Sequence, residues 1–321
     1  MINHILIPLD GSALAESVLP HGLAIARSTG AHITLLHVLE LAHTLADKQP
    51  VDPLEWQLQK QEAEEYLDHI ASRLLRKNLK VDSVIMEGPP AECIVDFAND
   101  RDVDLVALSS HGKSGLSKWN VSSVVQKIIL RSLKSTLLVR AYLSSPLEQE
   151  EVRYQRLFVG LDFSTRAEYI LPVAVSLAQF YNSELILGMA IRRPELLHRF
   201  PLSEEDARLI TDIADRNYRE ASHYFEQLQA RLSLQGINLQ TRLAVSDNIT
   251  SALHDMVEQE NPDLVMLVAH GHSSEGRWPY GSIAASFIAY GANSLMIMQD
   301  LSGDEIERTR AEMAAREVKG H

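Results

Sequence analysis

The chain has 321 residues, 45% of them apolar and 23% charged, with a formal net charge of −13. That length exceeds the usual single domain and points to two, and the composition is that of a folded protein rather than a disordered one. The acidic balance argues against non-specific binding to nucleic acid or to an anionic membrane, both of which need basic patches. The single cysteine, Cys93, excludes an intramolecular disulfide and fits a reducing compartment. No basic and then apolar leader opens the sequence, and no apolar run nears the ~18 residues of a membrane span, so the expectation is a soluble, cytoplasmic protein.

Residues 5–9 form a short apolar run that stops at Asp10-Gly11-Ser12, a turn signal. Residues 13–27 place Leu14, Val18, Leu19, Leu23, Ala24 and Ala26 at helical spacing, and Gly30 ends that helix. Residues 33–39 read as a second strand and 52–78 as a longer helix with Tyr66, Leu67, Ile70 and Leu74 on one face. Residues 81–87 give a third strand, 91–99 a helix and 105–108 a fourth strand. A loop carrying Gly112 and Gly115 then feeds a helix that opens near Ser122 and Ser123, and 136–140 is the fifth strand.

A polar linker, 143–152, holds Pro146, and beyond it the order restarts. The run 157–161 ends at Asp162-Phe163-Ser164, 185–190 repeats 33–38, and LVMLVAHG repeats LVALSSHG. Asp10 and Asp162 differ by 152 and Gly112 and Gly271 by 159, so the second half has gained about seven residues between its second and fourth strands. The helical segment 203–234 is where they belong; it opens on a capping box, Ser203 to Asp206, and its face of Leu209, Ile213, Tyr224, Leu228 and Leu232 reads as core. The last strand is 295–298, and 304–319 is a charge-laced helix, solvated or packed on a partner. The expected domains are 1–142 and 153–300, with the linker between them and a helical tail, 301–321. Strands alternating with helices give the α/β class, here two tandem doubly wound domains with parallel sheets and right-handed crossovers.

Asp10 and Asp162 close the first strand of each half, at the sheet edge where such folds bind ligands. A carboxylate there accepts hydrogen bonds from an adenine amino group or a ribose hydroxyl; equally, Asp before Gly-Ser or Phe-Ser forms a turn or helix cap. Gly112 and Gly271 let backbone approach an anion, and Ser123 or Ser282 offers a hydroxyl at a helix start; turning and capping alone would also explain them. Neither G-x-x-x-x-G-K-[ST] nor G-x-G-x-x-G is present. His111 and His270 precede the paired glycines and His272 adds an H-x-H pair, but nothing nearby completes a metal site, and a structural role is favoured. Cys93 reads as a small buried apolar residue, and Trp119 and Trp278 as loop anchors. No nucleophile elbow appears, so no catalytic residue is expected.

The stretches ILIPLDGS, TLLHVLE and SSHGKSGLSKW resemble the universal stress protein domain, and LFVGLDFS and AHGHSSEGRWPYGS resemble a second copy. The resemblance covers nearly the whole chain apart from the linker and the residues after 300. It implies in each half a five-stranded parallel sheet of order 3-2-1-4-5 with helices on both faces, and association through the last strand. In a tandem chain that association is an intrachain pseudo-dimer, and a homodimer of whole chains stays open. One branch of the family binds ATP through a loop of the form G-x-x-G followed at a distance by G-[ST]. Carried over, Pro8, Asp10 and Val38 would hold adenine and ribose, and Gly112, Gly115, Ser122 and Ser123 the phosphates. In the second half the matching positions are Asp162, Ala190, Gly271, Gly281 and Ser282. The ligand implied is ATP or another adenine nucleotide, with Mg²⁺ as its accompanying ion, in a stress-response regulator.

The sequence departs from the motif at Ser109 and Val268, which replace its first glycine, and at Ser122, which replaces the closing one. If the closing glycine needs positive φ, serine there costs on the order of 1 kcal/mol. Glu275 would repel phosphate if it faced inward, with Arg277 as an offset. Two alternatives therefore stand beside nucleotide binding: a non-binding interaction scaffold, and a slow ATPase.

Overall fold

The computed structural model describes residues 2–40, 53–113, 121–141, 152–194, 203–233, 235–271 and 279–319, with side chains through 313. Residues 143–151 of the linker, Gly115, Trp119, His272, Glu275, Arg277 and Trp278 lie outside the described residues.

The apolar runs of the first half become β1 (His4–Pro8), β2 (His32–Leu39), β3 (Val81–Glu87), β4 (Leu105–Ser109) and β5 (Ser135–Val139). Between them lie α1 (Ala13–Glu16), α2 (Leu19–Thr29), α3 (Pro53–Leu75), α4 (Pro90–Asp100) and α5 (Ser123–Ser132). The second half adds β6 (Arg156–Gly160), α6 (Leu171–Tyr181), β7 (Glu184–Arg192), α7 (Glu204–Ser233), β8 (Asn238–Ser246), α8 (Ile249–Glu260), β9 (Leu264–Val268), α9 (Ser282–Tyr290), β10 (Leu295–Met298) and α10 (Gly303–Lys319). The helix expected over 13–27 is two helices, because Pro20 has no N–H to donate and fits only a first helical turn; α2 restarts just before it.

These strands form one sheet of order β3-β2-β1-β4-β5-β10-β9-β6-β7-β8. Read inward from each outer edge, each half has the expected order 3-2-1-4-5 and is parallel throughout. The halves meet where β5 and β10 pair antiparallel, with Leu295 opposite Leu138 and Ile297 opposite Thr136. Successive strand residues point to opposite faces, so Ile5 and Ile7 join one core layer with α2, α3, α6 and α7 while Leu6 joins the other with α4, α5, α8 and α9. Arg140, fully buried just past β5, crosses the seam and donates from Nη2 to the Phe287 and Ile288 carbonyls at 2.8 and 3.0 Å. It places a cation at the negative end of α9. On one flank of the seam the His21 ring meets Tyr154 Oη at 2.9 Å, and burial pulls its pKa down to about 4.

Helix α7 is seven residues longer than α3, 30 against 23, which locates the insertion where the offsets put it. Ser203 caps it, accepting the Asp206 N–H at 3.1 Å and donating to the Asp206 carboxylate at 2.7 Å. Only Ala221, Phe225, Leu228 and Leu232 of this helix are buried. Leu209 is 48% exposed, contrary to the core face expected of it, because the buried stripe of α7 begins only at Ala221. Among the described residues no helix is long and apolar enough to cross a membrane.

Candidate functional site

The site is built around one carboxylate in each half. Asp10 Oδ1 accepts from Ser12 N at 3.0 Å and from Ser12 Oγ at 2.6 Å, and Ser12 Oγ in turn accepts the Ala15 N–H at 3.1 Å to cap α1. Asp10 Oδ2 accepts the Lys113 N–H at 2.6 Å and so ties the loop after β4 to the loop after β1. Asp10 is thus not the cap itself but the residue that holds the cap and joins two loops. A carboxylate has about four lone-pair directions, which leaves Asp10 capacity for a further donor.

That junction explains the glycine. A Cβ on Gly112 would overlap Asp10 Oδ2, so the backbone must be bare for the two loops to close. The second half repeats the arrangement. Asp162 Oδ1 accepts Ser164 N at 3.1 Å and Ser164 Oγ at 2.5 Å, Ser164 caps the turn through the Ala167 N–H at 2.9 Å, and a Cβ on Gly271 would overlap Asp162 Oδ2.

The far wall is the start of α5. Ser122 donates its N–H to the Ser110 carbonyl at 2.9 Å and caps the helix by accepting the Val125 N–H at 3.3 Å. Its φ of −68° and ψ of 158° are extended, and Gly281, its counterpart before α9, has −69° and 169°. Any residue adopts that backbone, so the cost foreseen for serine at the closing position does not arise. Ser123 and Ser282 are the first residues of α5 and α9. Each helix start presents first-turn N–H groups and the positive end of the dipole, the usual setting for an anion.

In the first half these pieces enclose a cleft of about 830 Å³, within the range of small-molecule sites. Pro8, Asp10, Val38, Gly112 and Ser122 all line it. So do three residues that the sequence did not single out for this role: His37, Tyr66 and Lys113. His37 Nδ1 lies 2.8 Å from the Leu9 carbonyl, and burial, aided by the Lys113 charge, lowers its pKa. Tyr66 reaches over from α3, donating to Glu16 Oε1 at 3.1 Å, and burial with the Glu16 charge pushes its phenol pKa up. Lys113 is the one lysine or arginine among the described lining residues, while Glu40 and Glu62 line the same cleft. The cleft thus combines apolar side chains and the Asp10 carboxylate with Lys113 and residues of the first turn of α5. His37 lies inside a strand and Tyr66 shares a helix face with Leu67, Ile70 and Leu74, so neither carries a local sign of a ligand site.

The second half differs in its side chains. Phe163 stands where the first half has Gly11, and its ring packs 5.2 Å from Tyr224 of α7. Ala190, at the position of Val38, is partly buried opposite Ala244 of β8. The two histidines are buried, and His111 lines the first-half cleft. His111 is buried with Nδ1 3.0 Å from Ser110 Oγ, and His270 Nδ1 is 2.8 Å from Asp300 Oδ1. Among the described residues no group of three or more His, Cys, Asp or Glu could hold a metal ion. Cys93 is buried, as a small apolar residue would be.

Two doubly wound halves joined edge to edge, each with an aspartate and a glycine loop at the ends of its parallel strands, define a tandem α/β protein with its crevices at the switch in strand order. The chain belongs to the universal stress protein family, whose profile matches residues 1–140 and again 153–298. The universal stress protein MJ0577 of Methanocaldococcus jannaschii is 30% identical over 155 residues, covering 44% of this chain and 96% of that one. The universal stress protein YxiE of Bacillus subtilis is 25% identical over 149 residues, covering 44% of this chain and all of its own. Among solved structures, a universal stress protein from Archaeoglobus fulgidus DSM 4304 superposes with a TM-score of 0.64 at 18% identity, over 93% of this chain and 99% of its own. A putative universal stress protein from Pseudomonas aeruginosa UCBPP-PA14 gives 0.63 at 13% identity, over 98% of each chain. Both likenesses speak to the fold, and both extend over the tandem.

Proposed function

We propose that this chain is a regulatory protein of the stress response that binds an adenine nucleotide in its first-half cleft. The observation that carries the reading is the convergence of Pro8, Asp10, Val38, Gly112 and Ser122 on one cleft beside the start of α5. In this reading Pro8, Val38 and the flanking apolar side chains take the adenine, and the Asp10 carboxylate accepts from ribose. The first turn of α5 and Lys113 take the phosphates, with Mg²⁺ accompanying a triphosphate. Nucleotide binding then biases association with partners, and no catalytic step is assigned. The test is mass spectrometry of small molecules released on denaturing the purified protein, followed by calorimetric titration with ATP. ATP, ADP or AMP near one per chain, lost in Asp10→Ala and kept in Asp162→Ala, supports the reading. A clean absence, with no heat at millimolar ATP, overturns it.

One observation favours the scaffold reading instead. Asp10 already fills the space beside Gly112, so packing alone accounts for both residues whether or not a ligand binds. Under that reading the titration stays flat and the family fold serves as a surface.

A further inference from the structure

A ribose offers two hydroxyl donors on one edge, and Asp10 has room for one of them. Of the roughly four lone-pair directions of a carboxylate, Asp10 has two filled on Oδ1 by Ser12 and one on Oδ2 by the Lys113 N–H. The buried acceptor nearest in the chain's path is His37, a lining residue of the cleft that is 8% exposed. Its Nδ1 lies 2.8 Å from the Leu9 carbonyl, which sets the ring against the peptide that leads into Asp10. Tyr66 packs edge-on to the ring with centroids 6.0 Å apart. A carbonyl only accepts, so Nδ1 carries the proton, and Nε2 of the neutral ring is an acceptor. Among the described residues nothing donates to Nε2. Glu40 and Glu62, the other acceptors that carry charge in this cleft, are exposed.

The second half has no such acceptor. The counterpart of His37 is Met189, 1% exposed, and the counterpart of Gly11 is Phe163, whose ring packs on Tyr224. An imidazole beside the aspartate therefore belongs to the first half alone.

We propose that His37 reads the sugar of the nucleotide: its Nε2 accepts one ribose hydroxyl while Asp10 accepts the other, so the cleft selects ribonucleotides over deoxyribonucleotides. This inference rests on the nucleotide reading and gives that site a sugar specificity. The same atom makes the selection depend on pH. Protonation replaces the acceptor at Nε2 with a second N–H and sets a cation near Lys113. Burial lowers the His37 pKa below the ordinary 6.5; the Leu9 carbonyl raises it, Lys113 lowers it and Asp10 raises it, with a net fall. The remaining titratable groups of the cleft are Tyr66 and Glu62 on α3, Glu40 after β2 and His111 after β4. Selection is therefore complete at neutral pH and fades as pH falls below the ordinary histidine range.

The test is calorimetric titration of the intact protein with ATP, 2′-deoxyATP and 3′-deoxyATP at about pH 7.5 and about pH 5.5, on either side of that range. At the higher pH each deoxy analogue should bind about tenfold more weakly than ATP, the ratio that loss of one such hydrogen bond produces. In His37→Phe one analogue should draw level with ATP, and the other should stay weaker because Asp10 still holds its hydroxyl. In the unaltered protein that same analogue should approach ATP at the lower pH. His37→Gln, which offers a carbonyl oxygen that does not titrate, should keep the ratio and lose its pH dependence. ATP binding with no preference among the three sugars overturns this inference and leaves the nucleotide reading in place, whereas no ATP binding removes both. Equal weakening of all three ligands in His37→Phe, with the ratios intact, makes the ring a prop for Leu9 and also overturns the inference.

Discussion

The two halves keep the same backbone and part company in their side chains. In both, a glycine after the fourth strand is forced bare by an aspartate after the first, and in both a serine two residues beyond that aspartate caps the next element. Between those fixed points the halves diverge. Gly11 sits at a φ of 82° with the Lys113 side chain beside it, whereas Phe163, at the same position, holds a φ of 68° and packs against Tyr224. Behind the loop, His270 is tied to Asp300, and Asp300 lies 3.4 Å from Arg166, which also grips Glu305 of α10. The second loop is thus wired to the tail. The contacts that close the loops are common to both halves, and the side chains around them are not.

The strongest way to break this comparison is Gly112→Ala set beside Gly271→Ala. Each adds a Cβ into its aspartate, and each should lower stability by about 1–3 kcal/mol in urea unfolding, the range for overpacking a closed site. Nucleotide should be lost only in Gly112→Ala; equal loss in both variants would show that the halves share the binding.

A second contrast lies in His21, whose counterpart is Val173. The folded pKa of about 4 lies below the 6.5 of an unperturbed histidine, so the unfolded chain takes up the proton first, and stability is lost as pH falls through that window. From about pH 7 to about pH 5 the loss from this group should be on the order of 2 kcal/mol, and His21→Phe should remove that component of the pH dependence. An unchanged profile in the variant would deny the titration.

Smaller effects sharpen the comparison at the turn. Gly11→Ala should cost about 1 kcal/mol because alanine resists positive φ. Phe163→Gly should change stability by less than about 1 kcal/mol, relief of backbone strain offsetting the lost contact with Tyr224. The smallest change belongs to the closing residues. Ser122→Gly and Gly281→Ser should each move stability by only a few tenths of a kcal/mol, since both sit at an extended N-cap position. A loss of about 1 kcal/mol or more in Gly281→Ser would restore a special role for glycine there.

The fold was legible because its signals are local. Apolar runs ending at Asp10-Gly11-Ser12 and Asp162-Phe163-Ser164 mark strand ends, and the two offsets located the insertion that α7 contains. What failed locally failed for a steric reason, as at Pro20, or because the apolar spacing continues past the buried part of a helix, as at Leu209. The site was legible in part. Asp10, Val38 and Gly112 announce themselves by type and place, but His37 and Tyr66 enter the cleft only once β2 and α3 are packed around it. The φ of Ser122 and the seat of α10 on the seam are tertiary facts with no signature in the residues themselves.

The antiparallel pairing of β5 with β10 has a consequence for dilution. Two separate domains joined through such strands would come apart as their concentration fell. Here the partners share a tether, so each sees the other at an effective concentration on the order of millimolar, whatever the amount of protein present. The same join removes two of the four open strand edges that separate sheets would present, and with them two templates for unwanted pairing between chains.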